Sequence, residues 1–166
     1  MPRIDVPDDL GSWMALRPEL GAGLAALSEA VYGKSILPLR VQELARMRIA
    51  LSNECEVCRK ARYDSGAADG LDEAFYAHAA GWRDWPGYSA REKLAAEYAE
   101  GIATDHLALR DDAGFWQRLR QHYSDAEIVD LAICCSLWLG AGRTMRVLDV
   151  GQTCALVMQR RAAEPA

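Results

Sequence analysis

Two helix-start signals constrain this chain more than anything else in it. Ser89-Ala-Arg-Glu92 and Ser124-Asp-Ala-Glu127 both read as capping boxes, in which serine and glutamate satisfy backbone N–H groups that the first turn of a helix leaves unpaired. The first opens a stretch with Leu94, Tyr98 and Ile102 on one face. The second opens a longer one with Ile128, Leu131, Cys135 and Trp138 on one face. Further apolar stripes at helical spacing are carried by Leu44, Met47 and Leu51 and by Leu71, Phe75 and His78, while sustained strand alternation is absent. The pattern predicts one all-α domain of six to eight helices.

The boundaries follow from local chemistry. A first helix is expected over Pro18 to Tyr32, ending near Gly33, and a second from Pro38 to Ser52-Asn53, since proline suits a first helical turn. A third is expected from Cys55 to about Gly66, a short fourth around Leu71–His78, and another short one at Phe115–Leu119. Gly81–Gly87 reads as a loop with a Pro86-Gly87 turn. The long final helix reaches toward Leu148 unless Gly140-Ala-Gly142 bends or breaks it, and the tail after about Arg160 reads as frayed.

At 166 residues, with 51% apolar and 26% charged residues, the chain can bury a core without disulfide staples. It carries 19 basic and 24 acidic residues, a net −5. An acidic chain with no basic block lacks the electrostatic footprint of a nucleic-acid or anionic-membrane binder. No uninterrupted apolar run approaches the roughly 18 residues expected of a spanning helix. The first nine residues turn acidic before any apolar stretch, which is not the pattern of a secretory signal. The cysteines number five, an odd and modest count that suits a reducing cytoplasm rather than a disulfide scaffold.

Cys55-Glu56-Val57-Cys58 is the feature that carries chemistry. It follows a helix stop, so both thiols are expected in the first turn of a new helix, where unpaired N–H groups and the helix dipole favour a thiolate. Spacing of i, i+3 places the two sulfurs on one face, within reach of a disulfide. A zinc site is disfavoured because no second CxxC or HxxxH accompanies the pair and His78, His106 and His122 are scattered. A thioredoxin fold lacks its βαβ pattern, and an inert buried pair is the plainer alternative. Glu43 sits mid-helix before the pair, and Arg62 lies i+4 from Cys58. If the two helices run back to back, Cys58, Arg62 and Glu43 could form a chain of contacts. A plain ion pair of Glu43 with Arg62 or with Arg46 is the alternative.

Of the other candidates, His78 reads as a core or interface residue, His106 as part of a cap and His122 as a surface residue. Cys134 and Cys135 read as small core residues, and Cys154 as structural. Trp13, Trp82, Trp85, Trp116 and Trp138 read as core and contact residues, with Trp82 and Trp85 able to wall a pocket.

Glu43, eleven intervening residues and then Cys55-x-x-Cys58 resemble the AhpD-like branch of the carboxymuconolactone decarboxylase family. So do Glu43-Leu-Ala-Arg-Met-Arg-Ile-Ala50, Gly70-Leu71, Ser124–Leu131 and Gly142–Asp149. The resemblance spans Leu37 to Val150. It divides the chain into an N-terminal helical extension (1–36), an AhpD-like core (37–150) and a C-terminal tail (151–166). It implies an all-helical homo-oligomer that reduces peroxides with thiols. A cytoplasmic protein with neither cofactor nor metal is expected. The position of Cys58 attacks the peroxide, that of Cys55 resolves the sulfenic acid, and that of Glu43 anchors a proton relay; an external dithiol then restores the pair. The family pattern has histidines where this chain has Val57 and Arg62. Arginine cannot shuttle protons near neutral pH but can stabilise a thiolate. The expectation is therefore thiol peroxidase or disulfide oxidoreductase chemistry by Cys58 and Cys55, helped electrostatically by Glu43 and Arg62, and weak or altered for want of the relay. An acid–base enzyme acting on a lactone and a non-enzymatic redox-sensing oligomer remain as alternatives.

Overall fold

A computed structural model of the protein describes residues 1–64 and 66–158. Among these the chain forms nine α-helices and one two-stranded pairing. The helices are α1 (Ser12–Ala15), α2 (Pro18–Lys34), α3 (Leu39–Ser52), α4 (Glu56–Lys60), α5 (Glu73–Ala77), α6 (Ala90–Thr104), α7 (His106–Asp111), α8 (Ala113–Arg120) and α9 (Asp125–Leu148). The all-α expectation holds. The count exceeds six to eight because the one-turn α1 and the Asp105-capped α7 carry too little periodicity to be read from sequence.

Both capping boxes form as anticipated, Ser89 with Glu92 and Ser124 with Glu127, each with both reciprocal hydrogen bonds. α3 is the axis of the molecule, with every residue from Val41 to Ala50 buried. A helix buried all round must serve two cores at once. One side of α3 (Val41, Ala45, Ile49) packs with α6, α8 and α9 around Phe115, Leu119 and Leu131. The other (Leu44, Met47) packs with Phe75, Tyr76, Trp82 and Tyr88.

Each buried polar side chain of α3 has a partner, although Arg48 Nε itself makes no hydrogen bond. Gln42 donates to the Val31 carbonyl at 2.9 Å. Arg48 reaches the carbonyl of Ala79 and the carboxylate of Glu100, at 3.0 and 2.6 Å. α9 runs unbroken through Gly140-Ala-Gly142. Asn53, the C-cap of α3, donates from Nδ2 to the Trp138 and Leu139 carbonyls and accepts from Arg143 Nε. A Cβ on Gly142 would lie 2.6 Å from Asn53 Nδ2. That glycine is therefore a site of close approach rather than a break.

The expected third helix is cut short. α4 ends at Lys60, and the chain turns into β1 (Arg62–Tyr63), which pairs in parallel with β2 (Val157–Met158). The N–H of Arg62 donates to the Leu156 carbonyl at 3.2 Å and that of Asp64 to the Met158 carbonyl at 3.1 Å. Asp8 accepts from the Gly151 N–H at 2.6 Å, and Gln152 Oε1 accepts from the Glu56 N–H at 3.1 Å. These bonds bring residues from both ends of the chain against α4. The frayed tail expected after Arg160 lies outside the described residues.

Candidate active site

Glu43 and Arg46 are one turn apart on α3, and both are almost wholly buried, with side chains 1% and 3% exposed. They form a bidentate pair, Nε to Oε2 at 2.7 Å and Nη2 to Oε1 at 2.6 Å, the strong fork geometry of arginine with carboxylate. Burial opposes the guanidinium's charge, but the charge and hydrogen bonds of Glu43 outweigh it and raise the Arg46 pKa. Nη1 of Arg46 donates to the backbone carbonyl of Cys58 at 2.5 Å. The guanidinium of this ion pair is therefore anchored on the backbone of the second cysteine. Tyr32, Tyr63 and Tyr76 surround this pair. Burial raises the pKa of each phenol, and the Glu43 charge raises it further. All three stay protonated at neutral pH.

Glu54, in the left-handed region at φ 51°, reverses the chain after α3. Cys55 then caps α4, and Cys58 lies in its first turn. The two cysteines are joined as a disulfide, with Cα atoms 5.3 Å apart. Cys55 is fully buried, whereas Cys58 is half-buried. The helix is only five residues long, so far fewer aligned peptide dipoles act on the thiols than in the longer helix expected from sequence.

Cys58 opens onto a cavity of about 520 Å³. Val57, Ile49, Ala50 and Ala61 form its floor, and Tyr32 and Leu24 of α2 and Leu137, Trp138 and Met145 of α9 form its walls. Leu10, Trp13 and Met14 from one chain end, with Leu156 and Met158 from the other, complete it. The lining is chiefly apolar, with Arg46, Glu29, Ser28 and Tyr32 among its polar residues. Trp138 Nε1 donates to the Tyr32 hydroxyl at 3.1 Å.

Arg62 is not where the helical spacing put it. Because α4 stops at Lys60, Arg62 leaves the helical register of Cys58 and turns outward. It pairs with the exposed Glu73 at 3.1 Å and lies over the Tyr76 ring at 3.8 Å. Arg46, on the helix of Glu43 itself, joins Glu43 to the Cys58 backbone instead. The histidines stay away from the cysteines. His78 is exposed, not a core residue, and stacks on Trp85 with centroids 4.6 Å apart. His122 lines a separate shallow pocket with Trp82, and His106 opens α7. Among the tryptophans, Trp13 and Trp138 wall the cavity rather than Trp82 and Trp85. Cys134 and Cys135 are buried as expected, their thiol pKa values pushed up by burial. Among the described residues no group of three or more His, Cys, Asp and Glu side chains converges to hold a metal ion. The i, i+3 spacing of Glu43 and Arg46 was the available signal for their pairing. Nothing in the sequence marked Tyr32.

The family model of the carboxymuconolactone decarboxylase family matches residues 18–101, about half of the chain, including Glu43, Cys55, Cys58 and Arg62. The chain belongs to that family. The match starts within α2 and ends in α6, earlier at both ends than the Leu37–Val150 span of the sequence resemblance. No curated protein matches the chain. In fold it is similar to a protein of unknown function from Agrobacterium tumefaciens, suggested to be the antioxidant defence protein AhpD. That likeness has a TM-score of 0.75 at 22% identity and covers 95% of this chain and 100% of that one. A peroxidase-related protein from Silicibacter is similar with a TM-score of 0.67 at 19% identity, over 83% of this chain and 72% of that one. The debrominase Bmp8 gives 0.66 at 15% identity, over 82% and 73%. At these identities the likeness is one of fold.

Proposed function

We propose that this member of the family is a thiol-dependent peroxidase with Cys58 as the attacking thiol and Cys55 as the resolving one. One observation carries the reading: Cys58 lines an apolar cavity while Cys55, its disulfide partner, is buried behind it. In the reduced pair the Arg46 guanidinium behind Cys58 favours its thiolate. Glu43 holds that guanidinium in place. The thiolate attacks the terminal oxygen of a hydroperoxide and becomes a sulfenic acid. Cys55 then attacks the Cys58 sulfur, the disulfide forms and water leaves. A dithiol of the reducing cytoplasm restores the pair by exchange. An apolar cavity of this volume suits an organic hydroperoxide better than hydrogen peroxide. The thiolate-stabilising role expected of Arg62 falls to Arg46 in this reading.

A lactone-directed acid–base enzyme needs a free acid and base at the substrate, and Glu43 is engaged by Arg46 on both oxygens. A redox sensor would oxidise without recycling. The deciding experiment mixes reduced protein with one equivalent of cumene hydroperoxide and follows intact mass. Loss of two hydrogens mapped to Cys55–Cys58, absent in Cys58→Ser, with turnover once a dithiol is supplied, supports the peroxidase. A pair that stays reduced refutes it, and oxidation without turnover favours the sensor.

A further inference from the structure

The cavity contains one hydroxyl whose orientation is constrained. Tyr32, near the end of α2, faces the same space as Cys58. Its oxygen already accepts a hydrogen bond from Trp138 Nε1 at 3.1 Å, and among the described residues its own O–H donates to no protein acceptor. A phenol held as acceptor on one side is free to donate on the other. Burial raises its pKa, so the proton is present at neutral pH, and the nearby Arg46 charge opposes that rise.

We infer that Tyr32 is the proton donor of the site, delivering its hydroxyl proton to the alkoxide that leaves when Cys58 opens an organic hydroperoxide. This rests on the peroxidase reading and supplies the acid that neither Val57 nor Arg62 can provide. The step balances. The Cys58 thiolate forms an S–O bond to the terminal oxygen, the O–O bond breaks, and sulfur is oxidised by two electrons as the peroxide is reduced. The terminal oxygen keeps its hydrogen as the sulfenic acid. The departing alkoxide, a stronger base than a phenolate, takes the Tyr32 proton and leaves as an alcohol. Arg46 stabilises the transient phenolate by charge until solvent reprotonates it.

The test compares two oxidants in single-turnover reactions of the reduced protein. Cumene hydroperoxide releases an alkoxide that needs a proton. Peracetic acid releases a carboxylate that needs none. Tyr32→Phe keeps the ring and removes the hydroxyl. It is expected to slow the hydroperoxide reaction about 100-fold, the lower range for a lost general acid, and to leave the peracid reaction within a factor of two. Trp138→Phe, which releases the hydroxyl from its anchor, slows only the hydroperoxide reaction and by less. Equal slowing of both oxidants by Tyr32→Phe, or slowing of neither, overturns the inference. Wild-type protein that reacts with peracid but meets hydroperoxide no faster than a free thiol overturns the peroxidase reading itself, a distinct result.

Discussion

Arg46 joins Glu43 to Cys58: its guanidinium is gripped by both carboxylate oxygens on one side and donates to the Cys58 carbonyl on the other. A charge on the central helix is thereby fixed behind the disulfide helix, and the two elements become one electrostatic unit.

Removing either partner strands the other in a place with almost no water. Arg46→Met leaves the Glu43 carboxylate unpaired and is expected to cost about 3–5 kcal/mol of stability. The double replacement Glu43→Gln with Arg46→Gln, neutral at both positions, recovers much of that loss. Urea denaturation of the single and double variants, with the Cys55–Cys58 disulfide intact, measures both.

Arg62→His does not install a relay, because position 62 faces Glu73 and not Glu43. The hydroperoxide rate of this variant is expected to stay within about twofold of wild type. Loss of the surface pair with Glu73 costs no more than about 1 kcal/mol. Stopped-flow oxidation of the reduced variant checks the first and a urea midpoint the second. A large gain in rate would place residue 62 at the reacting sulfur, contrary to the geometry.

Alkaline pH weakens the fold through its buried thiols. Burial pushes Cys134 up to about 12, with the Asp130 charge adding to the rise, and burial holds Cys135 well above 9. The folded values exceed the unfolded ones, so this contribution is fully present below about pH 9. It is lost as pH rises further, because the unfolded chain releases protons that the folded chain keeps. The buried tyrosines act in the same direction at higher pH. Urea midpoints should hold steady up to about pH 9 and fall between 9 and 11, with Cys135→Ala reducing the slope. Iodoacetamide at neutral pH should modify Cys134 and Cys135 only after denaturation.

Gly142→Ala presses a methyl group against the Asn53 amide, which its bonds to α9 hold in place. The expected cost is about 1–3 kcal/mol, the range for overpacking a close contact. In an Asn53→Ala background the same change costs much less, and a double-mutant cycle in urea reports that difference.

Assembly is best probed on the outer face of α9. Val129, Ile133 and Val147 are exposed there, although the helix is apolar overall. If copies of the chain associate through this face, Ile133→Glu lowers the mass measured by light scattering without lowering the urea midpoint of the protomer. An unchanged mass shows that no association runs through this face.

The parts legible in the sequence are those set by near neighbours. Serine and glutamate three residues apart cap α6 and α9 by bonds within one turn, and the Glu43–Arg46 pairing spans one turn of α3. The parts that were not legible depend on distant chain. α4 stops at Lys60 where the next residues pair with Leu156 and Met158, and local propensity carries no trace of that partner. The outward turn of Arg62 follows from the same truncation. α9 survives Gly140 and Gly142 because Asn53 packs where a side chain would otherwise stand. Tyr32 and Trp138 meet only because α2 and α9 are neighbours, so their hydrogen bond left no pattern to read.

The two-residue pairing of β1 with β2 sets an order of events during synthesis. Residues 62 and 63 leave the ribosome well before 157 and 158, and until the later pair arrives Leu156 and Met158 cannot cover the space in front of Cys58. Until then the lining of the cavity at Cys58 is incomplete. The cavity is completed last, when residues 156–158 come back against the middle of the chain.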